Sequence, residues 1–140
     1  MADYTSAHLI WRQGLRFQAT SGSGHEVTLD SPATPGHAGA APMELVAMGI
    51  AGCTAMDVVA ILDKMHQQVD SCRVDITAER APANPRYMTA IEIVYTLAGP
   101  GLDHGRVERA VALSRSTYCS AMASLRPDCL MTHRIEIVDS

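Results

Sequence analysis

Hydrophobic residues in this chain follow two rhythms, and each change of rhythm marks a change of element. From Ala7 to Ala19 the sequence reads as a strand, a tight turn at Gly14 and a second strand. Leu9 and Trp11 fall on one face, His8, Ile10 and Arg12 on the other. A Ser-Gly-Ser-Gly turn leads into a short third strand, Glu26 to Asp30. Ser31 to Pro42 is rich in proline, glycine and alanine and reads as a loop. Between Ala41 and His66 the period changes. Apolar or small residues recur at Leu45, Met48, Gly49, Gly52, Cys53, Met56, Val59, Ala60 and Met65, which predicts a long central helix. Pro42 suits its first turn, where a missing N–H does no harm, and Glu44 suits the helix dipole there.

Alternation then returns. Cys72, Val74, Ile76 and Ala78 share one face of a strand, and Ile91, Ile93, Tyr95 and Leu97 share the inner face of the next. Pro82, Asn84 and Pro85 turn the chain between them. After Gly99-Pro100-Gly101, Asp103 is a suitable N-cap for a second helix running to Leu125, with Cys119 in its last two turns. Pro127 ends it, and a closing strand carries Met131, His133, Ile135 and Ile137 on one face, a face that Cys129 would share. Clustered strands without strict strand–helix alternation predict an α+β domain with antiparallel sheet, a single unit over residues 1–140.

Two glycines inside the central helix, Gly49 and Gly52, each cost about 1 kcal/mol against alanine. They mark either a break just before Cys53 or a face that another backbone approaches. A break would set Cys53 at a fresh helix N-terminus, where unpaired N–H groups favour a thiolate.

Composition narrows the function classes. A net charge of −4, no basic block, and an aromatic set of four Tyr, one Trp and one Phe argue against nucleic-acid binding. The apolar stretches read as too short or too interrupted by charge for a membrane span, and the first residues lack a signal-peptide pattern. A cytoplasmic protein is expected. Cys53, Cys72, Cys119 and Cys129 show no C-x-x-C spacing and no paired histidines nearby, so no metal and no organic cofactor is expected. In a reducing compartment they should not form a static disulfide framework.

Cys53 and Cys119 fall in the two main helices, and packing of those helices could bring the thiols into bonding range. A peroxide-reducing cysteine needs a favoured thiolate, a pocket for the peroxide and a second thiol to resolve the sulfenic acid. Cys53, Arg16 and Cys119 could fill those roles, with Glu44 fixing the guanidinium in a bidentate pair. The bland readings are core packing for the thiols, a solvated strand residue for Arg16 and a helix-start charge for Glu44.

PMELVAMGIAGCTAMDVV, taken with STYCSAMASL, resembles the OsmC/Ohr family of thiol-dependent hydroperoxide reductases, and GLRF and SGSGH near the start extend the resemblance through nearly the whole chain. The resemblance implies antiparallel sheets wrapped around two central helices in an intertwined homodimer, with sites at the interface. It implies attack on the peroxide by Cys53, resolution by Cys119 as a disulfide, and reduction by an external dithiol of the lipoyl type or similar. Glu44 matches the family's glutamate and Arg16 its arginine, with Arg12 as the alternative. Met43 and Ser120 stand where the family often has proline, and Thr54 where the organic-hydroperoxide branch commonly has an aromatic residue, so the surroundings look more like other OsmC-like branches. The apolar residues around Cys53 favour an organic peroxide over hydrogen peroxide. Two rivals are a non-catalytic domain that binds a small ligand, and a hydrolase pairing Cys53 with a histidine such as His25, His37 or His133.

Overall fold

The computed structural model describes residues 3–139. They fall into two units, Met1–Val46 and Ala47–Ser140.

In the first unit, β1 (Ala7–Gln13), β2 (Arg16–Ser21) and β3 (Glu26–Leu29) form an antiparallel meander in the order β1-β2-β3. Gly14 makes the β1–β2 turn at φ +51°, a conformation that residues carrying a Cβ resist, and the Trp11 indole N–H donates to the Gly14 carbonyl at 2.9 Å. A bridge between Leu29 and Ala40 returns the following loop to the sheet. All of β1 is exposed, so Leu9, Ile10 and Trp11 are uncovered on an edge strand.

Helix α1 (Pro42–Lys64) starts in the first unit and continues through the second without a break. Of the two meanings left open for Gly49 and Gly52, the break therefore drops out. A Cβ at either position would meet nothing within 4 Å, so no described backbone approaches there either. The helix closes in a Schellman motif: Gln67 N–H donates to the Leu62 carbonyl, His66 N–H to that of Asp63, and His66 takes φ +59°. Between Glu44 and Asp63 the only charged residue is Asp57. Contrary to the expectation from sequence, α1 is long and apolar enough by length and composition to cross a membrane, with mean hydropathy 2.1 over its most apolar window.

In the second unit, β4 (Ser71–Arg80) pairs antiparallel with β5 (Met88–Ala98), and β6 (Leu130–Val138) pairs with β5 on its other side in parallel. The antiparallel expectation holds for three of the four strand pairs and fails for this last one. The reason lies in the connection, because the segment from Pro100 to Cys129 carries the chain back before β6 begins, as a parallel pair requires. The inward residues of β5 are the expected Ile91, Ile93, Tyr95 and Leu97, all buried. The α1 residues buried in this unit are Ile50, Thr54, Val58 and Leu62, a single row at a spacing of four. Val107, Ala110 and Val111 of α2 (His104–Leu113) are buried too. Asp103 caps α2 as anticipated, its carboxylate accepting the Arg106 N–H at 3.1 Å.

The second helix does not run on to Leu125. It passes into a π-helical turn, Ser114–Tyr118, then breaks at Cys119, which is extended (φ −75°, ψ 100°), and resumes as the short α3 (Ser120–Ala123). Cys119 N–H donates to the Ser114 carbonyl five residues back at 2.8 Å, the widened spacing of a π turn.

Candidate functional site: two thiols beside a carboxylate

Cys53 sits mid-way along α1, half-buried, one position before the buried Thr54. Cys119 approaches it from the break after the π turn and is only 4% exposed. The two sulfurs and a carboxylate oxygen of Asp57 lie within 4.8 Å of one another. The structure therefore brings together the two cysteines that the sequence singled out, and adds an acid that it did not. Asp57 is four residues after Cys53, on the same helix face, a spacing at which side chains meet. That spacing was the available signal for it.

Each thiol has a different setting. Burial pushes the Cys119 thiol above its ordinary value of 9.0, and proximity to Cys53 pushes the same way. Opposing both, the Met122 N–H at the start of α3 donates to Cys119 Sγ at 3.4 Å. Cys72 and Cys129 are also held up by burial, and among the described residues neither has another thiol as a bonded partner.

Asp57 anchors a chain of buried hydroxyls. Ser114 Oγ lies 3.0 Å from Asp57 Oδ2 and 2.9 Å from Thr54 Oγ1, and Thr54 Oγ1 lies 2.8 Å from the Tyr95 hydroxyl. The Ser114 hydroxyl is the donor facing both Asp57 Oδ2 and Thr54 Oγ1, and between Thr54 and Tyr95 either hydroxyl can donate. Among the described residues no buried side-chain polar atom is left without a partner. Burial raises the Tyr95 phenol above its ordinary 10.0, so it keeps its proton at neutral pH. The π turn explains the chain. By widening the helix it sets Ser114 Oγ against α1, and it ends where Cys119 must stand.

His133 is occupied elsewhere. Its Nδ1 faces the Arg115 guanidinium at 2.8 Å and its Nε2 faces Glu108 Oε1 at 3.0 Å. A guanidinium has no acceptor, so Nδ1 accepts and Nε2 carries the proton given to Glu108.

Arg16 and Glu44 belong to the first unit, and the bidentate pair expected between them is not formed. Arg16 Nε donates to Asp30 Oδ2 at 2.9 Å and its NH2 group to the Gly36 carbonyl at 3.3 Å. Glu44 instead accepts the Ala41 N–H at 2.9 Å, capping its own helix. Asp30 falls beside Arg16 because the β2–β3 register sets Phe17 opposite Leu29, whereas Glu44 accepts an orphan N–H at the start of α1. Asp30 is buried and also accepts from the Ser31 and Ala38 amides, and the Arg16 hydrogen bond leads in holding its carboxyl below the ordinary 3.8. Arg12 is exposed on β1, with no carboxylate paired to it among the described residues.

A metal would find two sulfurs and one carboxylate at the thiol cluster. One oxygen of that carboxylate is already bonded to Ser114, and among the described residues the cluster holds no fourth ligand. The donor set suits a redox pair with a neighbouring base better than a structural metal centre.

Comparison with known proteins places the chain in a family. The model of the OsmC-like protein family matches residues 34–134. The chain belongs to that family. It is 39% identical over 132 residues to Protein YhfA of Escherichia coli K12, spanning 94% of this chain and 97% of that protein. A hypothetical protein from Aquifex aeolicus VF5 superposes with a TM-score of 0.88 at 27% identity, covering 99% of both chains. The organic hydroperoxide resistance protein OhrB of Bacillus subtilis superposes at 0.63 over 97% of this chain and 98% of its own, with 16% identity, a likeness of fold alone. The α+β architecture expected from the sequence is the OsmC fold.

Proposed function

We propose that this OsmC-family protein is a thiol-dependent reductase of organic hydroperoxides. The observation that carries the reading is the Cys53–Cys119 pair, with sulfurs within 4.8 Å and unequal exposure. The more accessible thiol meets the oxidant, and the buried one waits to resolve. Cys53 thiolate attacks one peroxide oxygen and the O–O bond breaks. Sulfur is oxidised to sulfenic acid, and the alkoxide takes a proton to leave as ROH. Cys119 then displaces the hydroxyl, giving a disulfide and water, and an external dithiol of the lipoyl type or similar reduces the pair by exchange. By the family pattern Arg16 is the cation for the thiolate and the departing oxygen, and Glu44 the residue that orients it. We assign the orienting of its guanidinium to Asp30, which bonds it.

The reading extends to a homodimer in the cytoplasm. Support for the dimer comes from Leu9, Ile10 and Trp11 of β1 and Met48, Met56 and Val59 of α1, large apolar side chains left uncovered. Both nitrogens of His133 are engaged, which weighs against its use in a hydrolase.

The test is consumption of cumene hydroperoxide and of hydrogen peroxide with a dithiol reductant. Wild type should turn over the organic peroxide faster, and Cys53→Ser should be inert. Equal or better turnover of hydrogen peroxide would sink the substrate assignment. A second reading, a non-catalytic small-ligand domain, draws on an open hollow of about 560 Å³ lined by Met56, Val59, Ala60 and Cys72. It predicts no turnover and a Cys53→Ser protein that still functions.

A further inference from the structure

Resolution by Cys119 requires its thiol to lose a proton, yet the thiol is buried and burial favours the protonated form. Water is poorly placed to take the proton there. A carboxylate is well placed. We propose that Asp57 is the proton carrier of the resolving step, accepting the proton of Cys119 and delivering it to the hydroxide that leaves Cys53. The inference rests on the two-thiol reading above.

Three observations support it. Asp57 is held from one side by Ser114 Oγ, which donates to its Oδ2 at 3.0 Å. That bond fixes the carboxylate where one of its oxygens lies within 4.8 Å of both sulfurs. One carboxylate oxygen accepts this bond, and a carboxylate has capacity for further ones. Asp57 also lines a cleft of about 430 Å³ with Ile61, Lys64, Arg109, Leu113 and Tyr118, so a proton on it can exchange with solvent. Tyr118 directly precedes Cys119, which puts the cleft and the resolving thiol on adjoining residues.

The step balances without an added reagent. The Cys119 S–H bond breaks and its proton passes to Asp57. The sulfur pair forms the Sγ–Sγ bond as the Cys53 S–O bond breaks, and the departing hydroxide takes the proton from Asp57 as water. The Cys119 sulfur is oxidised from thiol to disulfide, and the sulfenic sulfur of Cys53 is reduced to the same level.

The experiment uses 4,4′-dithiodipyridine, whose attack on Cys53 and resolution by Cys119 each release a coloured thione. It runs on the full chain in a Cys72→Ala/Cys129→Ala background. In the parent the second release should be nearly flat from pH 6 to pH 8, because the proton goes to Asp57 rather than to solvent. In Asp57→Asn, which keeps an acceptor for Ser114, the first release should change little and the second should slow about 10²–10⁴-fold. It should then rise about tenfold per pH unit, as a thiol ionised by solvent does. Asp57→Glu should recover part of the rate. A parent whose second release already climbs tenfold per pH unit overturns the proposal, whatever the variants do. So does an Asp57→Asn protein that resolves as fast as its parent. A parallel arm with cumene hydroperoxide separates the two ideas. Normal Asp57-dependent resolution of the pyridyl disulfide, with no reaction of Cys53 toward peroxide, would sink the peroxidase reading and leave the role of Asp57 standing.

Discussion

Cys53 and Cys119 have the same side chain and stand within reach of one another, yet almost everything around them differs. Cys53 rides in an unbroken helix, half-exposed, its place set by the row that buries Thr54 and Val58. Cys119 stands at a break between a π turn and a four-residue helix, buried, its sulfur accepting a backbone N–H. The first setting gives access and the second gives position. A thiol that must meet a diffusing oxidant needs the former, and a thiol that must meet only one partner sulfur can do with the latter.

The largest effects should come from removing one thiol at a time. Cys53→Ser should abolish reaction with peroxide, whereas Cys119→Ser should form sulfenic acid at a rate within a few-fold of wild type and then stall or over-oxidise, as read by a sulfenic-acid trap and intact mass. Equal loss of the first step in both variants would erase the distinction. Next in size is Ser114→Ala, which removes the hydroxyl donor that faces both Asp57 and Thr54. It should cost about 1–3 kcal/mol in denaturant unfolding and slow the resolving step more than the first.

A smaller effect separates the two units by pH. Cys119, Cys72 and Cys129 have thiols raised by burial, so their ionisation is resisted in the native state. Stability from these groups is fully present below about pH 9, their ordinary value of 9.0, and is lost as pH rises above it. Asp30 behaves oppositely. Its carboxyl is lowered chiefly by Arg16, so its contribution is present above the ordinary 3.8 and is lost as pH falls below it. Urea titrations should show an alkaline limb shallower in Cys119→Ala and an acid limb shallower in Asp30→Asn. The smallest change is Asp103→Ala, which removes the α2 cap and should cost about 1 kcal/mol while leaving both thiol rates unchanged.

Much of this was legible in the chain. The alternation at Cys72–Ala78, Ile91–Leu97 and Met131–Ile137 gave strands and faces correctly because each sheet face has one environment. Asp103 was legible for the same local reason. Helix α1 was found but its inner face was not. The apolar positions picked out by spacing include Met48, Met56, Val59 and Ala60, all exposed, with Met56 at 75%. A helix apolar nearly all round carries no signal for which row faces in, and here the buried row even includes Thr54, whose hydroxyl Tyr95 satisfies. The π turn was hidden because Ser114–Tyr118 has no glycine or proline to announce a break. Asp30 was missed, and Glu44 was credited with its part, because the register between neighbouring strands leaves no trace in spacing. The parallel placement of β6 was not encoded in its own alternation, which is the same in either direction.

The most direct test of the central claim is to treat the reduced wild-type protein with one equivalent of cumene hydroperoxide, quench with an alkylating agent, and map the cysteines by mass spectrometry. The account predicts a disulfide joining Cys53 to Cys119, a loss of two hydrogens from the intact mass, and Cys72 and Cys129 alkylated as free thiols. Four alkylated thiols in a folded protein, or a disulfide through Cys72 or Cys129 in place of that pair, would contradict it.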